Sequence, residues 1–215
     1  IITLMEFFLL LLTAIINVIL VVIISRSGLK NTINLSFIGL LAFVSIWAVG
    51  DMLMLFASAR QWAELGLYLF MIIPMFVSLS IVYFSYFFPN KKEFEKKDLF
   101  WLTLVTIPTV ALSAVIINDI NFFVNFVSIS TPFNEYYVHA PYKDIYATYF
   151  TVYFIVYGAL LVWKYFISKG VERKRILFLM LSLILASIVA IVTNIIIPSN
   201  THSLHTAWIG PLSST

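Results

Sequence analysis

IITLMEFFLLLLTAIINVILVVII, residues 1–24, contains a single charged side chain, Glu6. A helix needs about 20 predominantly apolar residues to cross a hydrocarbon layer about 30 Å thick. This stretch meets that requirement and lacks the basic start and the small-residue cleavage site of a signal peptide. It therefore predicts a transmembrane helix that is retained in the mature protein.

The same pattern recurs along the whole chain. Of the 215 residues, 62% are hydrophobic and 11% are charged, whereas soluble domains carry roughly 25% charged residues. Apolar runs of spanning length predict six helices, at about residues 1–24, 34–58, 65–88, 99–117, 145–167 and 176–197. The predicted fold class is all-α: a polytopic transmembrane helix bundle forming one domain over residues 1–215, with six complete helices. A seventh helix is expected to begin at about residue 206 and to continue beyond Thr215.

Two further features refine this architecture. Pro74 and Pro108 lie inside helices three and four, where neighbouring groups can satisfy the carbonyl that a proline frees, and we expect a kink at each. The one long connection, residues 118–144, contains two β-prone segments, 122–130 and 136–139. They predict a short extracellular β-hairpin lying on the membrane surface.

The basic residues predict an orientation. Most of them follow helices one, three and five: Arg26, Lys30, Lys91, Lys92, Lys96, Lys97, Lys164, Lys169, Arg173, Lys174 and Arg175. Because basic loops remain in the cytoplasm, these turns are predicted to be cytoplasmic. The N terminus is then outside, and a completed seventh helix delivers the C terminus to the cytoplasm. We expect a multi-pass protein of the cell membrane whose first partner is the lipid bilayer.

Several functional classes have no support in the sequence. Cysteine is absent, so there is no disulfide framework and no thiolate chemistry. The motifs HExxH, Walker A and Gly-x-Ser-x-Gly are missing, and no lysine lies mid-membrane in the six helices to form a retinal Schiff base. Nothing indicates nucleic-acid binding or a cofactor. Any enzymatic module is expected beyond residue 215.

Ionisable groups inside a membrane cost about 2.5–3.5 kcal/mol on insertion scales, which makes each one a candidate for function. Asp51 lies about 25 Å from the cytoplasmic end of helix two, in the outer half of the bilayer. Glu6 and Asn194 also lie near the outer ends of their helices, so the three groups can line a pocket that opens outward. The alternatives are structural pairing for Asp51, contact with interfacial water for Glu6 and an interhelical hydrogen bond for Asn194.

Helix five carries a row of tyrosines on one face, called the tyrosine row: Tyr142, Tyr146, Tyr149, Tyr153 and Tyr157. Such a row can bind an apolar or aromatic ligand, although helix packing and interfacial anchoring explain it equally simply. A metal site has only His202 and His205 as candidates, and solvation is the simpler interpretation of this loop pair. The predicted ligand-binding residues are Trp47, Asp51, Tyr146, Tyr149, Tyr153 and Asn194.

The order of these features resembles a known family. The features are a Trp, Gly and acid in helix two, the prolines in helices three and four, an Asn-rich exit from helix four, a late Asn in helix six and a final Gly-Pro: Trp47, Gly50, Asp51, Pro74, Pro108, residues 118–121, Asn194, Gly210 and Pro211. Together they are similar to the seven-transmembrane N-terminal sensor region of bacterial histidine kinases and diguanylate cyclases.

This resemblance implies a membrane-embedded sensory or receptor domain. A seventh helix would lead to a cytoplasmic kinase, cyclase or coiled-coil module, and an outer-side ligand or a bilayer change would shift the population of helix arrangements. The partners implied are a small-molecule ligand and the cytoplasmic module or a homodimer. Two alternatives remain open at this stage: a small-solute transporter or channel component that uses Asp51, and a non-catalytic membrane subunit of a larger complex.

Overall fold

The computed structural model describes residues 2–26, 28–29, 31–89, 94–130, 133–206 and 208–213. Lys30, Lys91 and Lys92 of the predicted basic turns lie outside these residues, as do two residues of the predicted hairpin region, Thr131 and Pro132. Only the described residues on either side of them bear on the predicted orientation and hairpin.

Six helices in the described residues are long and apolar enough to cross a membrane. The long helices are α1 (Ile2–Arg26), α2 (Thr32–Phe56), α3 (Arg60–Phe87), α4 (Lys96–Asn118), α5 (Ala147–Ile167) and α6 (Gly170–Ile191). A π-helical turn, Tyr142–Tyr146, precedes α5, and another, Val192–Ile196, extends α6 into a short helix, α7 (Ile197–Thr201). A second short helix, α8 (Ile209–Ser213), lies in the region where the seventh helix is expected to begin. The predicted all-α, multi-pass membrane fold is confirmed.

The closest helix pair is α2 with α3, and two glycines make the approach possible. A Cβ atom added at Gly66 lies 2.2 Å from the amide nitrogen of Met54 and 2.7 Å from the carbonyl oxygen of Gly50. A Cβ added at Gly50 lies 2.7 Å from Cβ of Leu69. Small residues at helix interfaces in membranes allow backbones to come this near. The backbones of α2 and α3 are thus in direct contact at the level of Gly50.

The predicted hairpin is present as a two-stranded antiparallel sheet. Strand β1 (Val124–Ser128) pairs with β2 (Glu135–Val138), with Val124 opposite Val138. The described residues contain no further sheet pairing. The hairpin lies at the end of the bundle where α2 ends and α3 begins, because β2 and the residue before it contact the last turn of α2.

The hairpin closes the C-terminal end of α2. The last carbonyl groups of a helix have no partner within that helix. The side-chain Nδ2 of Asn134 donates to the carbonyls of Met54 and Ala57, at 3.0 Å each. The backbone N–H of Asn134 donates to the carbonyl of Leu55, also at 3.0 Å. The Tyr136 hydroxyl donates to the carbonyl of Met54 at 2.6 Å. Burial raises the pKa of the Tyr136 phenol, so this group remains a donor at neutral pH.

At the opposite end of the bundle, a lysine closes α3. Nζ of Lys164, in the last turn of α5, donates to the carbonyls of Ser85, Tyr86 and Phe88 at 2.8, 2.6 and 2.5 Å. A cation at a helix C terminus satisfies free carbonyls and interacts favourably with the helix dipole. This contact fixes the C-terminal end of α5 to the C-terminal end of α3.

We expect Lys164→Met to lower the free energy of unfolding by about 2 kcal/mol, because hydrogen bonds to a charged donor are the strong ones. The methionine keeps the apolar stem and removes the three bonds. Reversible unfolding in detergent micelles measures the difference. Lys174→Met on the exposed start of α6 is the matched control and should change stability by less than about 0.5 kcal/mol. Equal losses in both variants would contradict a capping role.

Candidate functional site

Asp51 is fully buried in α2, and its carboxyl group is the centre of the candidate site. It has 0% exposure, and neither of its oxygens forms a hydrogen bond of ordinary geometry with any described residue. The indole N–H of Trp47, one helical turn earlier, acts on this carboxyl electrostatically, but it too falls short of an ordinary hydrogen bond. Buried polar groups are almost always paired. Two unpaired groups side by side therefore mark an unusual place in the fold.

The two π-helical turns, Tyr142–Tyr146 and Val192–Ile196, meet beside Asp51. The Tyr142 hydroxyl donates to the backbone carbonyl of Asn194, and the Tyr146 hydroxyl donates to the carbonyl of Met71 in α3 at 2.7 Å. Both phenols lie within electrostatic range of the Asp51 carboxyl. Turns of this type occur frequently at functional sites. The π turns thus bring α5 and the end of α6 to the acid in α2.

Asn194 contributes a further unpaired atom. Its side-chain nitrogen, Nδ2, donates to the Ala190 carbonyl and the Thr193 hydroxyl at 3.0 Å each. Its side-chain oxygen, Oδ1, has no partner among the described residues, and the side chain is 6% exposed. We call Trp47, Asp51, Tyr142, Tyr146 and Asn194 the polar cluster.

The start of α8 touches the polar cluster directly. A Cβ added at Gly210 lies 2.3 Å from Asn194 Nδ2 and 2.6 Å from Cζ2 of Trp47. Only a residue without a side chain fits here at this distance. The start of α8 is therefore in van der Waals contact with two members of the polar cluster.

A cavity of about 100 Å³ lies next to the polar cluster, between α2, α3, α5 and α6. We call it the central cavity. Its lining is largely aliphatic and aromatic and includes no charged side chain. Trp47, Tyr146 and Asn194 line it, whereas Asp51 lies behind this lining. The cavity therefore lies against the side chains of Trp47 and Asn194.

The rest of the tyrosine row contacts the two proline-containing segments. The Tyr153 hydroxyl donates to the carbonyl of Val105, three residues before Pro108. The Tyr146 hydroxyl likewise donates to the carbonyl of Met71, three residues before Pro74. Tyr149 contacts the carbonyl of Met75 at 3.1 Å and also the hydroxyl of Thr109 at 2.7 Å; Thr109 lies 2.8 Å from the Tyr153 hydroxyl. These hydroxyls bind backbone carbonyls within three residues of the prolines, next to the carbonyls of Phe70 and Leu104 that the prolines free.

The contacts of Tyr149 and Tyr153 favour the packing interpretation for these two residues. Neither is among the residues that line the central cavity, and the hydroxyl of each is occupied by α3 or α4. Tyr146 differs because it lines the cavity as well. A ligand-binding role for Tyr149 and Tyr153 stays a prediction.

Glu6, His202 and His205 lie outside the polar cluster. Glu6 is buried in α1, 6% exposed, with one unpaired oxygen. The His202 ring stacks on Tyr137 of the hairpin at 5.3 Å between centroids, and its Nδ1 lies 2.9 Å from the Val138 carbonyl. His205 lies beside Phe133 of the hairpin region. The described residues contain no group of three metal-ligating side chains.

Sequence reasoning missed three participants in these contacts. Tyr142 was recognised as part of the tyrosine row but not as a member of the site, and the π turn that carries it has no clear sequence signal. Thr109 directly follows Pro108, a position where freed backbone attracts polar partners. The contact of Gly210 with Asn194 joins segments whose proximity no local pattern encodes.

The helix count, the apolar spans and the buried polar groups define a polytopic membrane domain with a polar site in its bundle. A family model described as the N-terminal 7TM region of histidine kinase matches residues 9–209. The chain belongs to this family, as its sequence features predicted, and is a membrane sensory domain of histidine kinases. No curated protein and no solved structure matches the chain.

Proposed function

We propose that this domain senses a signal at the polar cluster, from the outer side of the membrane, and passes it to a cytoplasmic kinase module through the helix that begins with α8. The proposed orientation rests on charge. The described basic residues at one end of the bundle are Arg26, Lys96, Lys97, Lys164, Lys169, Arg173, Lys174 and Arg175. That end is cytoplasmic by the positive-inside rule, which puts the hairpin and the polar cluster near the outside.

One observation carries the proposal: the polar cluster has unpaired buried atoms, and the start of α8 contacts it. Leaving buried donors and acceptors unpaired costs about 1–3 kcal/mol for each group. A ligand that pairs them gains that energy only in helix arrangements that keep them aligned. Because Gly210 contacts Trp47 and Asn194, those arrangements differ in the position of α8. Binding thus shifts the population of α8 positions.

We expect Asp51→Asn to change the autophosphorylation rate of the full-length kinase in vesicles by at least about fivefold, the lower end of ordinary coupling energies. The substitution keeps the shape of the side chain and removes its capacity to carry charge. Asp144→Asn, at an exposed position before α5, is the matched control and should leave the rate within about twofold.

Insertion and folding of both variants are checked by protease accessibility and by thermal unfolding. Wild-type rates in a correctly inserted Asp51→Asn variant would overturn the role proposed for the polar cluster. Solute flux through vesicles that contain the protein tests the transporter alternative separately. The same vesicles, with and without the cytoplasmic module, show whether a homodimer depends on that module.

A further inference from the structure

A second pocket lies at the end of the bundle that carries the hairpin. It is formed by the start of α3, the turn that follows α4 (Ile120–Phe122) and strand β1. We call it the hairpin pocket, and the proposed orientation places it on the outer side of the membrane. Its volume is about 330 Å³. Because a cavity of about 150 Å³ already holds one benzene molecule, the hairpin pocket has room for a small organic molecule.

Two opposite charges, those of Arg60 and Glu64, line the hairpin pocket. Nε of Arg60 donates to Oε1 of Glu64 at 2.7 Å, and the guanidinium group lies over the Phe126 ring, 5.2 Å from its centroid. The two Nη groups of Arg60 and Oε2 of Glu64 have no hydrogen-bond partner among the described residues. The side chains are 70% and 42% exposed, and such exposed ion pairs contribute little to stability. A ligand can therefore bind these atoms at little cost to the fold.

Uncharged polar groups complete the polar side of the hairpin pocket. The Tyr68 hydroxyl and the side-chain amides of Asn121 and Asn125 line it and form no hydrogen bond with a described residue. Tyr68 and Asn125 are half-buried. The apolar side of the pocket is formed in part by Leu67 and Ile120, which are buried. The hairpin pocket thus offers charged and neutral hydrogen-bonding groups beside an apolar wall.

We infer that the hairpin pocket binds a small zwitterion from the outer solution, a neutral α-amino acid with an apolar side chain. This inference rests on the proposed function and names the class of ligand. The α-carboxylate accepts hydrogen bonds from the free Nη groups of Arg60, in the fork geometry that carboxylates favour. The α-ammonium group donates to Oε2 of Glu64. The apolar side chain lies against Leu67 and Ile120.

Charge selects against other small molecules. Arg60 and Glu64 carry the only charges among the described residues that line the hairpin pocket. An anion that pairs with Arg60 lies beside the like charge of Glu64, and a cation that pairs with Glu64 lies beside Arg60. A neutral sugar binds the amides and the hydroxyl but brings no charge to either side chain. Only a zwitterion pairs with both charges at once.

The wall of the hairpin pocket is connected to the polar cluster through α2. The Phe126 ring packs edge-on against Tyr136, at 5.5 Å between centroids. The Tyr136 hydroxyl in turn donates to the carbonyl of Met54, which follows Asp51 by three residues. A ligand that changes the position of Phe126 therefore acts on the end of α2 that leads to Asp51.

The test measures the binding of L-leucine to the full-length protein in lipid nanodiscs by titration calorimetry. The comparison ligands are leucinamide, which is a cation, N-acetyl-leucine, which is an anion, and glucose, which is neutral. We expect leucine to bind at least about tenfold more tightly than each of them, because each loses at least one hydrogen bond to a charged group. The inference is overturned if leucine does not bind, or if any of the three binds as tightly.

Two charge variants identify the site. Glu64→Gln keeps the shape of the side chain and should weaken leucine binding at least about tenfold, so that N-acetyl-leucine binds at least as tightly as leucine. Arg60→Gln should likewise bring leucinamide at least level with leucine. Glu172→Gln, on the exposed start of α6, is the matched control and should leave all affinities unchanged. A uniform loss for every ligand in both pocket variants would contradict the assigned charge contacts.

Autophosphorylation in vesicles separates this inference from the proposed function. If leucine binds with the expected selectivity but leaves the kinase rate unchanged, the binding site stands and its coupling to the polar cluster through α2 fails. If leucine does not bind while Asp51→Asn still changes the rate, the proposed function stands and the inferred ligand class is wrong.

Discussion

Gly66→Ala should lower the free energy of unfolding by about 3 kcal/mol, the upper end of the ordinary cost of overpacking. The reason is geometric: the new methyl group would lie 2.2 Å from the Met54 amide nitrogen. A backbone atom of a packed helix cannot move aside as a side chain can. The variant must therefore separate α2 from α3, which removes the contacts around Gly50. Reversible unfolding in detergent micelles measures the loss.

Gly39→Ala is the matched control for this prediction. It makes the same change in α2, where the added Cβ has no atom within 4 Å. Alanine is a better helix former than glycine, so stability should stay within about 0.5 kcal/mol or increase. If Gly66→Ala is as stable as Gly39→Ala, the two helices do not approach as closely as the structure shows.

The second large effect is expected on signalling. In Gly210→Ala, the new methyl group overlaps Asn194 Nδ2 at 2.3 Å and the Trp47 ring at 2.6 Å. Because the atoms nearest to the new methyl group belong to side chains and not to backbone, we expect α8 to shift and the protein to remain folded. The kinase rate should then lose most of its dependence on the signal, a change of about tenfold or more, in line with ordinary coupling energies.

A double variant tests the cause. Asn194→Ala removes the atom nearest to the new methyl group, so the pair Gly210→Ala with Asn194→Ala should recover part of the response that Gly210→Ala loses. Such non-additivity is the signature of a direct contact. Strictly additive effects of the two changes on the autophosphorylation rate would show that α8 and Asn194 act independently.

Much of the fold could be predicted because each span meets a local requirement of the bilayer. A run such as residues 1–24 must be helical in lipid, whatever its neighbours are, because only a helix satisfies its backbone there. The hairpin was also predictable from its β-prone segments. Its register was not, because register depends on the turn and on which faces of the two strands are buried, which neither segment shows by itself.

The candidate site was predicted in part, and the division follows from the range of the interactions. Asp51 and Asn194 were identified because a polar group in an apolar run is costly by itself. Hydroxyl partners are set by tertiary contacts, and the Tyr153 contact with Val105 joins residues 48 positions apart. The sequence therefore indicated the tyrosine face but left packing and ligand binding undecided.

The closure of α2 by the hairpin has a consequence for biosynthesis. Asn134 follows Met54 by 80 residues, which a ribosome adds in about 4–16 s at roughly 5–20 residues per second. During that interval the nascent chain holds α2 without its terminal partners. Water at the membrane surface must then form the hydrogen bonds of the C-terminal carbonyls of α2. We expect this end of α2 to be the last part of the first half of the chain to acquire its native protection against hydrogen exchange.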